Sequence, residues 1–190
     1  MIYSKKGSDS LQNSNVILVP FKEEDRKQFI IDNQWAFKYG ALQEFGERDN
    51  HIDDDGEIIS AKTIESCIDE ANNHTYRITI NGENVGGAIV KIDKKTQHNH
   101  LELFFVTPSA HSKGIGFSAW KAIEALYPDT KIWETCTPYF EKRNIHFYVN
   151  KCGFHIVEFF NAFNVDPNQP QEEQSEGPDE MFRFIKIMDK

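Results

Sequence analysis

Apolar and polar positions along the chain change period several times, and each change predicts an element. Val16–Pro20 (VILVP) is a short apolar run that reads as a strand ended by Pro20. Residues 22–45 then carry apolar positions at helical spacing, with Phe29, Ile30, Asn33 and Phe37 near one face. Glu23, Glu24 and Asp25 sit in the first turn, where the helix dipole favours acids. Ser60 opens a second helix, with Ile64, Cys67, Ile68 and Ala71 spaced i, i+3, i+4, i+7. The period then drops to two. Thr75–Ile80 alternates, Asn81-Gly82 is a hairpin turn, and residues 84–93 return as a strand. A turn over KKTQHN precedes the strand Leu101–Val106 (LELFFV). A helix over 114–126, a strand over 131–136 and a helix over 140–151 follow, the last ending at Gly153. Residues 154–165 and 181–188 read as the final two strands. Antiparallel hairpins interrupted by two late crossover helices predict an α+β domain: a mixed, mostly antiparallel twisted sheet of about seven strands, with helices on both faces.

Composition narrows the classes. The 190 residues suit a single domain over 1–190, with residues 1–14 expected to be a flexible N-terminal stretch. The 15 Phe, 6 Tyr and 3 Trp supply apolar area for a core, so bulk disorder is excluded. No apolar run approaches the roughly 20 residues of a membrane span, and no apolar signal-peptide core follows Lys5-Lys6. Three cysteines without framework spacing suit a reducing cytoplasm. Net charge is −9, and it is unevenly placed. Residues 47–57 carry −5 and the loop 166–180 carries −6, leaving the rest at +2. Such a chain is not expected to bind nucleic acid, which needs clustered Lys and Arg.

The chemistry concentrates in Leu101–Ala119. A strand ends at Val106, seven residues of turn follow, and Gly114-Ile115-Gly116 opens a helix. A glycine-rich entry to a helix presents unpaired N–H groups and the positive dipole end, a site for a pyrophosphate, with Lys113 beside it. No GxxxxGK[ST] string exists. Gly114-x-Gly116-x-x-Ala119, with Glu134 twenty residues on, matches a dinucleotide fingerprint in letters only, because seven residues separate the turn from its strand.

The stretch Val106-x-Pro108-x-x-His111-x-x-Gly114-x-Gly116 resembles the acetyl-CoA loop of the GNAT superfamily of N-acetyltransferases, V-x-P-x-x-[QR]-x-x-G-x-[GA]. Asn144-x-x-Phe147-Tyr148-x-x-x-Cys152-Gly153-Phe154 is similar to that family's later N…FY…GF signature. The likeness runs over about residues 15–188 in the same element order. It implies acetyl-CoA as donor and transfer to an amine by direct attack in a ternary complex, with no metal.

It further implies that the fourth and fifth strands splay, and that the pantetheine arm lies along Phe104, Phe105 and Val106. The diphosphate would be held by His111, Ser112, Lys113, Gly114, Ile115, Gly116 and Phe117, and the arm by Asn144 and Phe147. His111 stands where the family has Gln or Arg, and offers less charge. An exposed loop residue is the competing reading for it.

An ammonium has no lone pair, so a base must deprotonate the acceptor and an acid should protonate the leaving thiolate. Glu102, the one acid in LELFFV, is the candidate base, with His100 in reserve. A solvent-facing strand carboxylate is the alternative for Glu102. Tyr148 matches the family's acid, against a core tyrosine; Val106 N–H would stabilise the oxyanion. The loop between the first two helices and the last interstrand connection wall the acceptor pocket in that family. Here these are the acidic segments, which predicts a cationic acceptor, small molecule or peptide.

A non-catalytic acyl-CoA-binding module is the alternative function, and a homodimer is compatible with the family. Cys136 lacks a Cys-His spacing for a nucleophile. Residues 49–57 fail as a calcium loop, since Gly56 in the sixth place puts His51 first and Lys62 twelfth. His98-Asn99-His100 has no third ligand at sequence spacing.

Overall fold

The structure is a computed structural model that describes residues 15–45, 56–111, 113–167 and 180–188. Its elements run β1 (Val16–Pro20), α1 (Arg26–Phe45), α2 (Ala61–Asp69), β2 (Asn73–Ile80), β3 (Glu83–Lys91), β4 (His98–Val106), α3 (Ile115–Leu126), β5 (Ile132–Pro138), α4 (Lys142–His146), β6 (His155–Phe160) and β7 (Met181–Ile187). This is the predicted order. Short 3-10 turns precede α1 and follow β4, and a π-helical turn over Phe147–Cys152 continues α4. The residues 1–14 and most of the two acidic segments lie outside the described residues.

The seven strands form one sheet in the order β1-β2-β3-β4-β5-β7-β6. Every pairing is antiparallel except β4–β5, which α3 connects as a parallel crossover. The β2–β3 hairpin turns at Asn81 (φ 52°) and Gly82 (φ 83°), the two positive angles that an Asn-Gly turn accommodates. Ser60 caps α2 by accepting from the Thr63 N–H at 3.0 Å.

Helices cover both faces. On one, Phe29, Ile30 and Ala36 of α1 and Ile64 of α2 pack on Ile89 and Phe105. On the other, Trp120 and Ile123 of α3, with Tyr148 and Cys152 of the π turn, pack on Ala88, Val90, Leu101, Trp133 and Phe184. α1 is also tied to β2 by a buried pair, Arg77 Nη1 to Asp32 Oδ2 at 2.7 Å, with the guanidinium over the Phe29 ring. Gly86 lets β3 lie close to β4: a Cβ there would stand 2.3 Å from the Phe105 carbonyl oxygen.

Three boundaries differ from expectation. β4 begins at His98, so His98, Asn99 and His100 are strand and not turn. Buried Asn99 explains this, since its amide donates to Thr130 Oγ1 and its oxygen accepts from Asp93 N–H. The predicted helix 140–151 is an α-helix only over Lys142–His146 before it widens to π. β6 stops at Phe160, where Asn161 and Asn164 close a turn.

Candidate active site

Two features of β4 build the site. The first is where its pairing with β5 ends. The two strands are joined only at His98↔Ile132, Asn99↔Trp133 and His100↔Glu134. Beyond that register Leu101–Val106 has no backbone partner on β5, so the sheet opens there. Thr135 sits at the apex and donates from Oγ1 to the Leu101 carbonyl at 2.9 Å. The second is a bulge. Ile89 pairs with Leu103 but Val90 with Leu101, which leaves Glu102 as the extra residue. Parity breaks accordingly: Leu101 packs in the cluster under α3, and Leu103 in the cluster under α1 and α2.

The edge of β4 that borders the opening is polar backbone. Thr107 N–H donates to the Val85 carbonyl at 2.9 Å, so antiparallel alternation turns the N–H and C=O of Phe104 and Val106 away from β3 and towards the gap. Phe104 stacks on Phe147, with ring centroids 5.8 Å apart, while Phe105 is buried against Phe29. Below the gap the chain enters α3. Gly114, at φ 72°, is in the left-handed region and precedes the first turn, and its carbonyl accepts the Ser118 N–H. The first amides of α3 therefore face outward without helical partners. Gly116 comes close to Phe147 and Val106, since a Cβ there would lie 3.4 Å from the ring. Lys113 and Phe117 are exposed and Ile115 is buried in the core. Ser112 lies outside the described residues.

His111 is not the exposed loop residue of the competing reading. It is half-buried, its Nε2 lies 2.8 Å from the Val106 carbonyl, and its ring meets Tyr39 of α1 edge-on at 5.5 Å. A carbonyl only accepts, so the ring carries its proton on Nε2. Burial lowers its pKa below the ordinary histidine value, so it is neutral at pH 7. His111 thus ties α1 to the end of β4 instead of standing free in the loop.

Glu102 is exposed at the bulge, yet partial desolvation of its carboxyl raises its pKa above the ordinary value. Lys91 pulls it back and Glu70 and Glu134 push it further. Tyr148 is buried beside Phe154 and Phe184, and burial raises its pKa. Its hydroxyl hydrogen-bonds Thr135, which brings it to the apex of the opening from the α3 face. Asn144 is exposed on α4 and donates to Thr137 Oγ1 of β5 at 3.4 Å. The opening is therefore bordered by Phe104 and Val106 on one strand and by Thr135 and Thr137 on the other. The two β5 threonines were missed in the sequence, where nothing marks them apart from other strand residues.

Glu134, the two β4 histidines and Cys136 are placed next to the opening. Glu134, the acid of the dinucleotide fingerprint, is buried and bonds His98 and Arg183, so it is not available to a ribose. His98 and His100, without a third ligand in sequence, meet one in Glu134 across the parallel ladder. The Cys136 thiol is pushed up to about 12, first by desolvation and then by Asp166 and Glu134, which removes it as a nucleophile.

Comparison with known proteins bears on the same features. Residues 28–154 match the profile of the Acetyltransferase (GNAT) family. A Bacillus subtilis (strain 168) protein named Uncharacterized protein YrkN is 48% identical over 180 residues, covering 92% of this chain and 95% of its own. Among solved structures, the ribosomal-protein-S18-alanine N-acetyltransferase of Escherichia coli superposes with a TM-score of 0.64 at 13% identity, over 92% of this chain and 95% of that one. The spermidine N-acetyltransferase of Vibrio cholerae, in complex with CoA and spermine, gives 0.63 at 12% identity, over 92% and 96%. At such identities the two structures speak for the fold. The profile covers the bulged fourth strand, the glycine turn and the opening beside them, and on that match the chain belongs to the GNAT family of acetyltransferases and is an acyltransferase.

Proposed function

We propose that the protein transfers an acetyl group from acetyl-CoA to the primary amine of a cationic small molecule or peptide, by direct attack in a ternary complex. The observation that carries this is that β4 parts from β5 after His100↔Glu134 and runs on without a β5 partner to Val106, beside which Gly116 of the turn into α3 lies. A narrow chain that can hydrogen-bond along a strand edge, with a diphosphate at its far end, fits that arrangement. Phe104 and Val106 offer the edge, and the amides around Gly114–Phe117 with Lys113 offer the anion site. Asn144, Phe147 and Thr137 border the other side of the arm.

The acceptor comes to the α1–α2 side, where Glu102 stands. Its raised pKa brings the carboxylate nearer to the basicity needed to take a proton from an ammonium, directly or through water. Val106 N–H faces the gap and is the donor for the developing oxyanion. His111 holds the carbonyl of the same residue on that edge, which fixes the end of β4 next to the proposed donor. Tyr148 stays protonated because burial raises its pKa, which an acid for the departing thiolate requires. Among the described residues no helix is long and apolar enough to cross a membrane, which suits a dissolved acceptor.

Thermal shift with acetyl-CoA, CoA and NAD, followed by thiol release with a panel of amines, tests the reading. Acetyl-CoA and CoA should raise the melting temperature and NAD should not, and thiol should appear with cationic amines. Stabilisation by CoA without turnover on any amine would reject the transfer reaction.

A further inference from the structure

Beyond the transfer reaction, the structure carries a second group of chemistry-bearing side chains. His98 and His100 lie on one side of β4, two residues apart, and Glu134 faces them from β5 in the last paired register. Their rings stack, with centroids 5.2 Å apart and planes within 12°. His98 Nε2 is 2.8 Å from Glu134 Oε2, and His100 Nδ1 is 3.9 Å from Oε1. One donor atom from each residue falls within a mutual 4.8 Å. The histidine side chains are 37% and 39% exposed and the carboxylate 11%, so the donors are anchored in the sheet and open on one side.

We infer that His98, His100 and Glu134 form a three-ligand site for a divalent cation of the zinc class. Two imidazole nitrogens and one carboxylate are a donor set that zinc takes at about 2.0–2.2 Å, with a fourth position left for water. Donors around such an ion stand roughly 3–4 Å apart; of the two contacts to Glu134, the one from His100 at 3.9 Å lies within that spacing and the one from His98 at 2.8 Å just below it. Calcium and magnesium prefer all-oxygen cages, so the set discriminates against them.

The surroundings are those of a supported site. Arg183 of β7 reaches Glu134 Oε2 from Nη1 at 3.2 Å, and its other nitrogens hold Glu158 of β6 at 2.8 and 2.9 Å. Its charge is therefore largely met by Glu158, and its contact orients the Glu134 carboxylate from behind, as outer partners of ligating carboxylates do. Lys91 of β3 is held by Glu70, the residue that follows α2. The strands that bear the ligands are joined by backbone pairing at this very point, so binding needs no ordering of a loop.

Isothermal titration of the intact chain with zinc chloride, without acetyl-CoA, tests the site. We expect one saturable equivalent with micromolar or tighter affinity, and no comparable heat with magnesium. Cobalt(II) should give the visible bands of a low-symmetry nitrogen–oxygen site. His98→Ala, His100→Ala and Glu134→Gln should each weaken binding by at least about tenfold, while His155→Ala, on the exposed start of β6, should not. Absence of saturable zinc binding, or binding that survives all three ligand substitutions, overturns the inference. If Glu134→Gln fails to fold through loss of its Arg183 contact, the two histidine substitutions decide, because neither residue belongs to a core cluster. None of these readouts depends on acetyl transfer, so either conclusion can fail alone.

Discussion

At the scale of single residues, Glu102 owes its place to one extra position in β4. In a regular strand Leu101 and Leu103 would share a face; the bulge sends them to opposite clusters and leaves the carboxylate on the side of α2. A base acts only when deprotonated, and the pKa of Glu102 is raised above 4.5. The rate with a given amine should therefore fall as pH drops through a value above 4.5, and Glu102→Gln should remove that acid limb while slowing transfer roughly 10²–10⁴-fold. A pH–rate profile of the two proteins checks this; a variant with near wild-type rates removes the assignment. Tyr148→Phe separates an acid from a core ring. Loss of the hydroxyl contact to Thr135 alone costs about 1 kcal/mol of stability, whereas loss of an acid should slow the rate by about 10²-fold or more. Steady-state kinetics beside a melting curve distinguishes the outcomes.

Among elements, α1 is attached to the sheet at three points next to the proposed acceptor side. Its apolar residues pack on β3 and β4, Tyr39 meets His111, and Asp32 holds Arg77 of β2. The Arg77 side chain is 2% exposed, and its Nε has no partner among the described residues. Removing Asp32 would leave a buried guanidinium without its counter-charge, at a cost of about 3–5 kcal/mol. Denaturant unfolding of Asp32→Ala should show that loss as a lower midpoint at unchanged slope. The same element shows why periodicity was legible: of the four positions its helical spacing puts on one face, Phe29, Ile30 and Asn33 are buried and Phe37 is half-buried. Periodicity failed where a strand is polar. His98-Asn99-His100 carries no apolar alternation, and it becomes strand because Asn99 is held by Thr130 and Asp93, contacts made outside its own segment.

For the whole molecule, the distribution of charge is what the proposed cationic acceptor can be tested against. Residues 47–57 and 166–180 carry −11 between them against +2 for the rest of the chain, and most of them lie outside the described residues. If those segments steer a cationic amine, raising ionic strength from about 0.01 to 0.15 M shortens the screening length from about 30 to 8 Å. The acceptor KM should then rise with little change in kcat; a KM insensitive to salt would show that the segments play no part. The element order, the two-sided α+β architecture, the hairpin at Asn81-Gly82 and the glycine entry to α3 were readable in the chain, because each rests on local periodicity or on backbone angles that particular residues favour. The tertiary structure alone decided where β4 parts from β5, that Glu102 is a bulge, that His111 turns back onto Val106, and that Glu134 joins two histidines 34 and 36 residues before it. Those depend on register between strands, and register is a property of pairs that one-dimensional spacing does not contain.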